Sequence, residues 1–252
     1  MLKQALFSFG AAGLLALGAC SNANDGVALT DAEREAWSSA FAEPAAHALQ
    51  IRMYEQGRTL GDAAVRFDAL HEMLAREPGN AAVQDSLASL YFASRMFGPA
   101  SQLIGGLVEA NPQDARYLEM QAVSHNGLGL VEEALGDYER LLAVDPNPYY
   151  AYQIATLQYS LNRFDVAEAS VDNMLAGDLD GQLVNINTAD GRAQAVPMKA
   201  ALLNIKGVLR KDVHADYTEA EKYFQLAMAQ APEFNLAKNN LTLLRRQAEA
   251  AN

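Results

Sequence analysis

The property that most limits what this chain can fold into is a period. Pro78, Pro112 and Pro146 stand 34 residues apart, and the segments between them can be laid over one another. In the stretch Ala115 to Pro146, with Ala115 as position 1, an apolar residue falls at 4 (Leu118), small residues at 8 (Ala122) and 20 (Ala134), an aromatic at 24 (Tyr138) and proline at 32. A repeat of this length is one supersecondary unit that cannot bury its apolar face alone, so neighbours stack into a solenoid. Small side chains at 8 and 20 let the two helices of a hairpin approach closely, while bulkier ones at 4 and 24 fill the groove between hairpins. The expected fold is all-α, an α-α superhelix of about five helical hairpins.

Composition agrees. Half of the 252 residues are apolar and only 8% are aromatic, which suits close-packed helices better than a sheet. A repeat array buries its core between neighbours, so a chain of this length reads as one domain. The net charge of -12 argues against nucleic acid or an anionic membrane surface as partner, because both require clustered Lys and Arg. A basic or neutral protein surface fits better.

Cys20 is the one cysteine, so neither an intrachain disulfide nor a thiolate metal cluster can form. It closes a signal-like segment: Met1-Leu2-Lys3-Gln4 supplies a positive start, and Ala5 to Leu17 is an apolar run too short to span a bilayer. Leu17-Gly18-Ala19-Cys20 resembles the lipobox of bacterial lipoproteins. The resemblance implies signal cleavage after residue 19 and a covalent lipid on Cys20; an ordinary secretory signal with an incidental cysteine is the alternative. Ser21 stands where inner-membrane retention signals of Gram-negative bacteria usually carry aspartate, which implies the outer membrane, facing the periplasm. Residues 20–29 would form a lipidated tether to a solenoid domain over 30–250.

Along that domain, Thr30-Asp31-Ala32-Glu33 is a capping box opening an N-terminal capping helix, with Trp37 and Phe41 on one face and a stop before Pro44. Repeats are expected at about 45–79, 80–113, 114–147, 148–176 and 198–232, with a C-terminal capping helix at 233–250. The first fits poorly, with bulky Tyr54 at position 8 and Arg66 at position 20, and with helices about Ala45 to Gln56 and Asp62 to Arg76 broken at Gly57 and Gly61. In the second, Asn80 is a cap and Gly98-Pro99 opens the second helix. The fourth starts at Pro148 after the cap Asn147, one residue short of the full step. From Pro146 to Pro232 the chain then carries two steps of 34 and 18 surplus residues. That surplus, an insertion at 177–197, has Asp190-Gly191 as a two-residue turn between Val184–Asn187 and Ala193–Val196, so a small exposed hairpin or ordered loop should project there.

These units resemble the tetratricopeptide repeat (TPR). In that family the first helix of each hairpin lines a concave surface, with positions 2, 5, 9 and 12 facing a bound protein or peptide. Carried over by register, the groove would include Arg58, Asp85, Phe92, Arg116, Glu119 and Asn126, and in the fourth repeat Tyr149, Tyr152 and Tyr159. Tyrosine offers a large contact area with one polar tip. Packing against the neighbouring repeat is the competing role for those rings.

No constellation for catalysis or metal binding emerges. None of His47, His71, His125 and His214 lies three or four residues from another, and His71-Glu72 lacks a second histidine at Ala75. Gly127-Leu128-Gly129 falls at an inter-helix turn without a preceding strand, there is no Gly-x-Ser-x-Gly, and Glu132-Glu133 suits a helix start. The chain is expected to be no enzyme and to need no cofactor or metal beyond the lipid. A lipobox followed by about five hairpins looks most like a pilotin, a lipoprotein that carries a secretin subunit of a tight-adherence or type IV pilus to the outer membrane. The alternatives are a periplasmic adaptor for a protease or cell-wall synthase and, from another class, an enzyme of cell-wall or polysaccharide processing.

Overall fold

The computed structural model describes residues 44–187 and 193–250. The expected signal segment with Cys20, the expected capping helix from Thr30 and the expected turn at Asp190-Gly191 lie outside the described residues. Within them are α1 (Pro44–Leu60), α2 (Ala63–Arg76), α3 (Ala81–Ala93), α4 (Phe97–Ala110), α5 (Ala115–Gly127), α6 (Val131–Val144), α7 (Pro148–Ser160), α8 (Phe164–Ala176), β1 (Leu183–Asn187), β2 (Ala193–Pro197), α9 (Met198–Asp212), α10 (Tyr217–Gln230) and α11 (Asn235–Ala250). Helices α1 to α10 pair in order into five antiparallel hairpins, and α11 closes the C-terminal end. The all-α superhelix is therefore the fold, with one small sheet set into it.

Caps place the helix starts. The side chains of Asp62, Asn80, Asp114, Asn147 and Asp216 each accept from a backbone amide two or three residues on, at 2.9 to 3.3 Å. The turn inside each hairpin holds one residue in the left-handed region: Gly61, Arg95, Gly129, Asn162 and Ala215. The steps between the first four are 34, 34 and 33, so the one-residue shortening of the fourth repeat is visible at its turn.

The expected small positions are core. Ala88, Ala100, Ala122, Ala134, Ala155, Ala167 and Ala220 are fully buried, and a Cβ built on Gly207 would sit 2.6 Å from the Phe224 ring. Around them Ile104, Leu118, Tyr138 and Leu141 belong to one core that runs from the second hairpin to the fourth. The first repeat solves its misfit differently. Its two bulky residues meet, with the Arg66 guanidinium 5.6 Å from the centre of the Tyr54 ring. Gly57 is not the helix break the sequence predicts: α1 continues to Leu60, and Gly57 is buried where a Cβ would lie 2.9 Å from the Arg66 Cγ. It makes room for the arginine, and the turn falls at Gly61.

The insertion also differs from expectation. β1 and β2 pair antiparallel with Val184 opposite Val196, so the hairpin is present, but it does not project freely. Val184 and Val196 are each 2% exposed and join Val171, Met198, Leu202 and Phe234 in the core. Alternation puts Leu183, Asn185, Ala193 and Ala195 on the outer face, where they are exposed. From the inner face the Gln194 side chain reaches the start of α11, donating to the Glu233 carbonyl and accepting from the Asn235 amide. The hairpin thus staples the fourth hairpin, the fifth and the closing helix together.

Candidate functional site

The first helices of the hairpins, α1, α3, α5 and α7, carry the predicted groove residues, and the structure sorts them into three kinds. Some are engaged with one another. Arg116 pairs with Asp85 of the preceding hairpin, approaches the Ser89 hydroxyl at 3.4 Å, and lies 4.6 Å over the Tyr117 ring. Partial burial opposes the Arg116 charge, and Asp85 more than offsets it, so its pKa is raised. Arg58 pairs with Glu55 of its own helix at 2.9 Å. Phe92 is half-buried, edge to face with Phe97.

Others keep open surface. Asn126 is exposed, and Glu119 and Tyr149 are half-buried. Tyr159 is also half-buried; its hydroxyl donates to Asp212 at the end of α9, 3.0 Å away, and burial together with that acceptor pushes it up to about 12.

Tyr152 does not belong with them. It is 8% exposed and packs with Ala155, Val184, Val196, Met198 and Leu202, and burial pushes its phenol up to about 12. The cause is the insertion: the valines of β1 and β2 supply apolar surface beneath α7, and the ring is taken into that core. The tyrosine row therefore divides, with Tyr152 structural and Tyr149 and Tyr159 at the surface.

A cluster that sequence reasoning missed lies between the second and third hairpins. The Ser101 hydroxyl on α4 is 3.0 Å from His125 Nε2 on α5, and His125 Nδ1 is 2.7 Å from Asp137 Oδ2 on α6. The His125 and Asp137 side chains are 15% and 9% exposed, with Arg140 3.6 Å from the other carboxylate oxygen. Burial pushes the Asp137 carboxyl up, against the pull of His125 and Arg140. The three residues lie 24 and 12 apart in the chain, in no local motif. A usable signal was the repeat register. His125 and Asp137 occupy positions 11 and 23, and in the next repeat the same positions hold Gln158 and Ser170, which bond at 3.0 Å.

Farther along, Glu168 on α8 takes both Arg210 and His214, and Asp172 takes Lys206, all across the junction with the fifth hairpin. Of the remaining histidines, His71 bonds the Tyr91 hydroxyl at 2.7 Å, and His47 is exposed. Among the described residues no group of three or more metal-ligating side chains converges, and no helix is long and apolar enough to cross a membrane.

Residues 61–123 match the family model for the tetratricopeptide repeat. No curated protein sequence matches the chain. Among solved structures, a tetratricopeptide repeat protein from Parabacteroides merdae is 19% identical, with a TM-score of 0.60 over 79% of this chain and 72% of that one. MamA is 15% identical, with a TM-score of 0.56 over 74% of this chain and 92% of its own. YrrB, described as a TPR protein with an unusual peptide-binding site, is 14% identical, with a TM-score of 0.58 over 81% and 96%. The described chain is thus folded as a TPR-like superhelix, and residues 61–123 carry the repeat's sequence pattern.

Proposed function

We propose that the protein is a lipid-anchored scaffold that binds a protein partner along the inner helices and assists assembly or outer-membrane targeting of an envelope complex, a pilus secretin being the partner that fits best. One observation carries the binding role. Glu119, Asn126 and Tyr149, on the first helices of the third and fourth hairpins, keep exposed or half-exposed side chains while the core positions of the same helices are filled. A rigid solenoid then presents polar and aromatic groups without an ordering cost on binding. YrrB, of the same fold, is described as having a peptide-binding site, which supports the reading. The anchor rests on Leu17-Gly18-Ala19-Cys20.

Two measurements test this. Cells grown with an alkyne-tagged palmitate should label the wild-type chain and not Cys20→Ser; equal labelling would end the anchor. Deleting the gene should leave secretin subunits unassembled or in the wrong membrane. Unchanged secretin multimers would overturn the pilotin role and favour an adaptor for a protease or cell-wall synthase.

A further inference from the structure

We propose that Ser101 is an activated nucleophile that accepts an acyl or phosphonyl group from small activated esters, with His125 as its general base and Asp137 as the residue that positions the imidazole. The Asp137 carboxylate, 2.7 Å from Nδ1, accepts a hydrogen bond from an N–H there, and in that tautomer the Nε2 lone pair faces the Ser101 hydroxyl at 3.0 Å. That is the arrangement in which a serine can lose its proton as it attacks. The three side chains come from three helices that meet around Ile104, Ala122 and Ala134, each fully buried, so a close-packed core holds their relative placement.

Access is provided on the other side of α4. Ser101 sits between the buried stripe of the helix, with Ile104 at i+3, and a track of glycines, Gly98 at i−3 and Gly105 at i+4. Glycine weakens a helix interior. Neither of these is required by packing, since a Cβ built on either has nothing within 4 Å. The surface beside the hydroxyl is therefore low where any other residue would raise it.

In the step, Ser101 Oγ bonds to the ester carbonyl carbon while its proton passes to His125 Nε2. The leaving alkoxide or phenoxide takes that proton as the C–O bond breaks, giving acyl-Ser101 and an alcohol. Water repeats the sequence, with His125 again as base, and releases the carboxylic acid and the free serine. The Ala100 amide is committed to the Met96 carbonyl and Pro99 has no N–H, so neither of the two residues before Ser101 offers a backbone donor to an oxyanion. That confines the substrates to esters with good leaving groups and excludes amides.

The test is to treat the purified full chain with a biotinylated fluorophosphonate and locate the adduct by peptide mass spectrometry. One adduct on Ser101 is expected, with none in Ser101→Ala, a change to the strongest helix former at a half-buried position. His125→Gln, which places here the residue that Gln158 provides in the next repeat, should label at least about 100-fold more slowly while its circular dichroism is kept. Asp137→Asn should also be slower. No adduct on Ser101 under conditions that label a serine hydrolase, or equal rates in wild type and either variant, would overturn the proposal. Partner binding is independent of this outcome.

Discussion

Two junctions of the same solenoid are built in different ways. Between the second and third hairpins the chain crosses in the short loop Asn111–Asp114, and the contact is apolar core plus the partly buried Ser101–His125–Asp137 hydrogen-bond chain. Between the fourth and fifth hairpins it detours through residues 177–197. There the contact is a two-stranded sheet whose valines enter the core, with the pairs Glu168–Arg210, Asp172–Lys206 and Tyr159–Asp212 across the joint. Where the period holds, each hairpin already carries the surface its neighbour needs. Where it fails, the chain supplies the missing apolar surface from an added element. An insertion in a solenoid can be part of its core.

The largest expected effect tests that statement. Val196→Asp places an unpaired carboxylate among Met198, Leu202 and Phe234, and should cost about 3–5 kcal/mol. Hydrogen exchange should show α9 to α11 losing protection while α3 to α6 keep theirs. If all helices stay protected, the hairpin is an ornament and the contrast fails.

Tyr152→Ala should cost about 3 kcal/mol, lowering the melting temperature by about 6–12 °C, because it empties a filled site at this junction. Tyr149→Ala, at a half-buried position, should cost less than half as much. Equal costs would erase the division of the tyrosine row.

Gln194→Ala should lose about 1 kcal/mol by removing the bonds that hold the start of α11, with the change read as faster exchange of amides near Asn235. Smaller and of opposite sign, Arg95→Gly and Ala215→Gly should each stabilise by roughly 0.5–1 kcal/mol, since both hold left-handed backbone where glycine costs least. Urea midpoints would show it, and a loss at either site would mean the native side chain makes a contact that outweighs the strain.

The smallest effect concerns acid. The Asp137 carboxyl is raised above its ordinary 3.8 by burial, so protonation favours the folded state. Its contribution to stability is fully present below 3.8 and is lost as pH rises through the folded value. Wild type should therefore gain on Asp137→Asn as pH falls from neutral toward 4. A gap that stays constant with pH would place the carboxyl at its ordinary value.

Much of the architecture was legible because it is local. The caps Asn80 and Asn147, the alanines at positions 8 and 20, and the shortened fourth step act within one hairpin or between adjacent ones, so their spacing survives in the linear chain. The strands Val184–Asn187 and Ala193–Val196 were legible for the same reason, as alternating residues around a turn. What that alternation did not disclose was the side to be buried. The candidate groove was less legible: register named Asp85 and Arg116 without revealing that they pair, and it ranked Tyr152 with Tyr149 although the valines that cover it lie more than 30 residues away.

By itself, then, the sequence determined the repeat, its hairpins, their caps and the place where the period breaks, because helix periodicity and capping depend on residues a few positions apart. Only the tertiary structure decided which misfits would compensate each other, as Tyr54 and Arg66 do, and which polar residues would meet, as Ser101, His125 and Asp137 do. It also decided that the insertion would serve the core. Burial and hydrogen bonding between hairpins depend on the stacked geometry, and residues 12 to 53 positions apart, such as His125 and Asp137 or Tyr159 and Asp212, acquire their roles only when the superhelix brings them together.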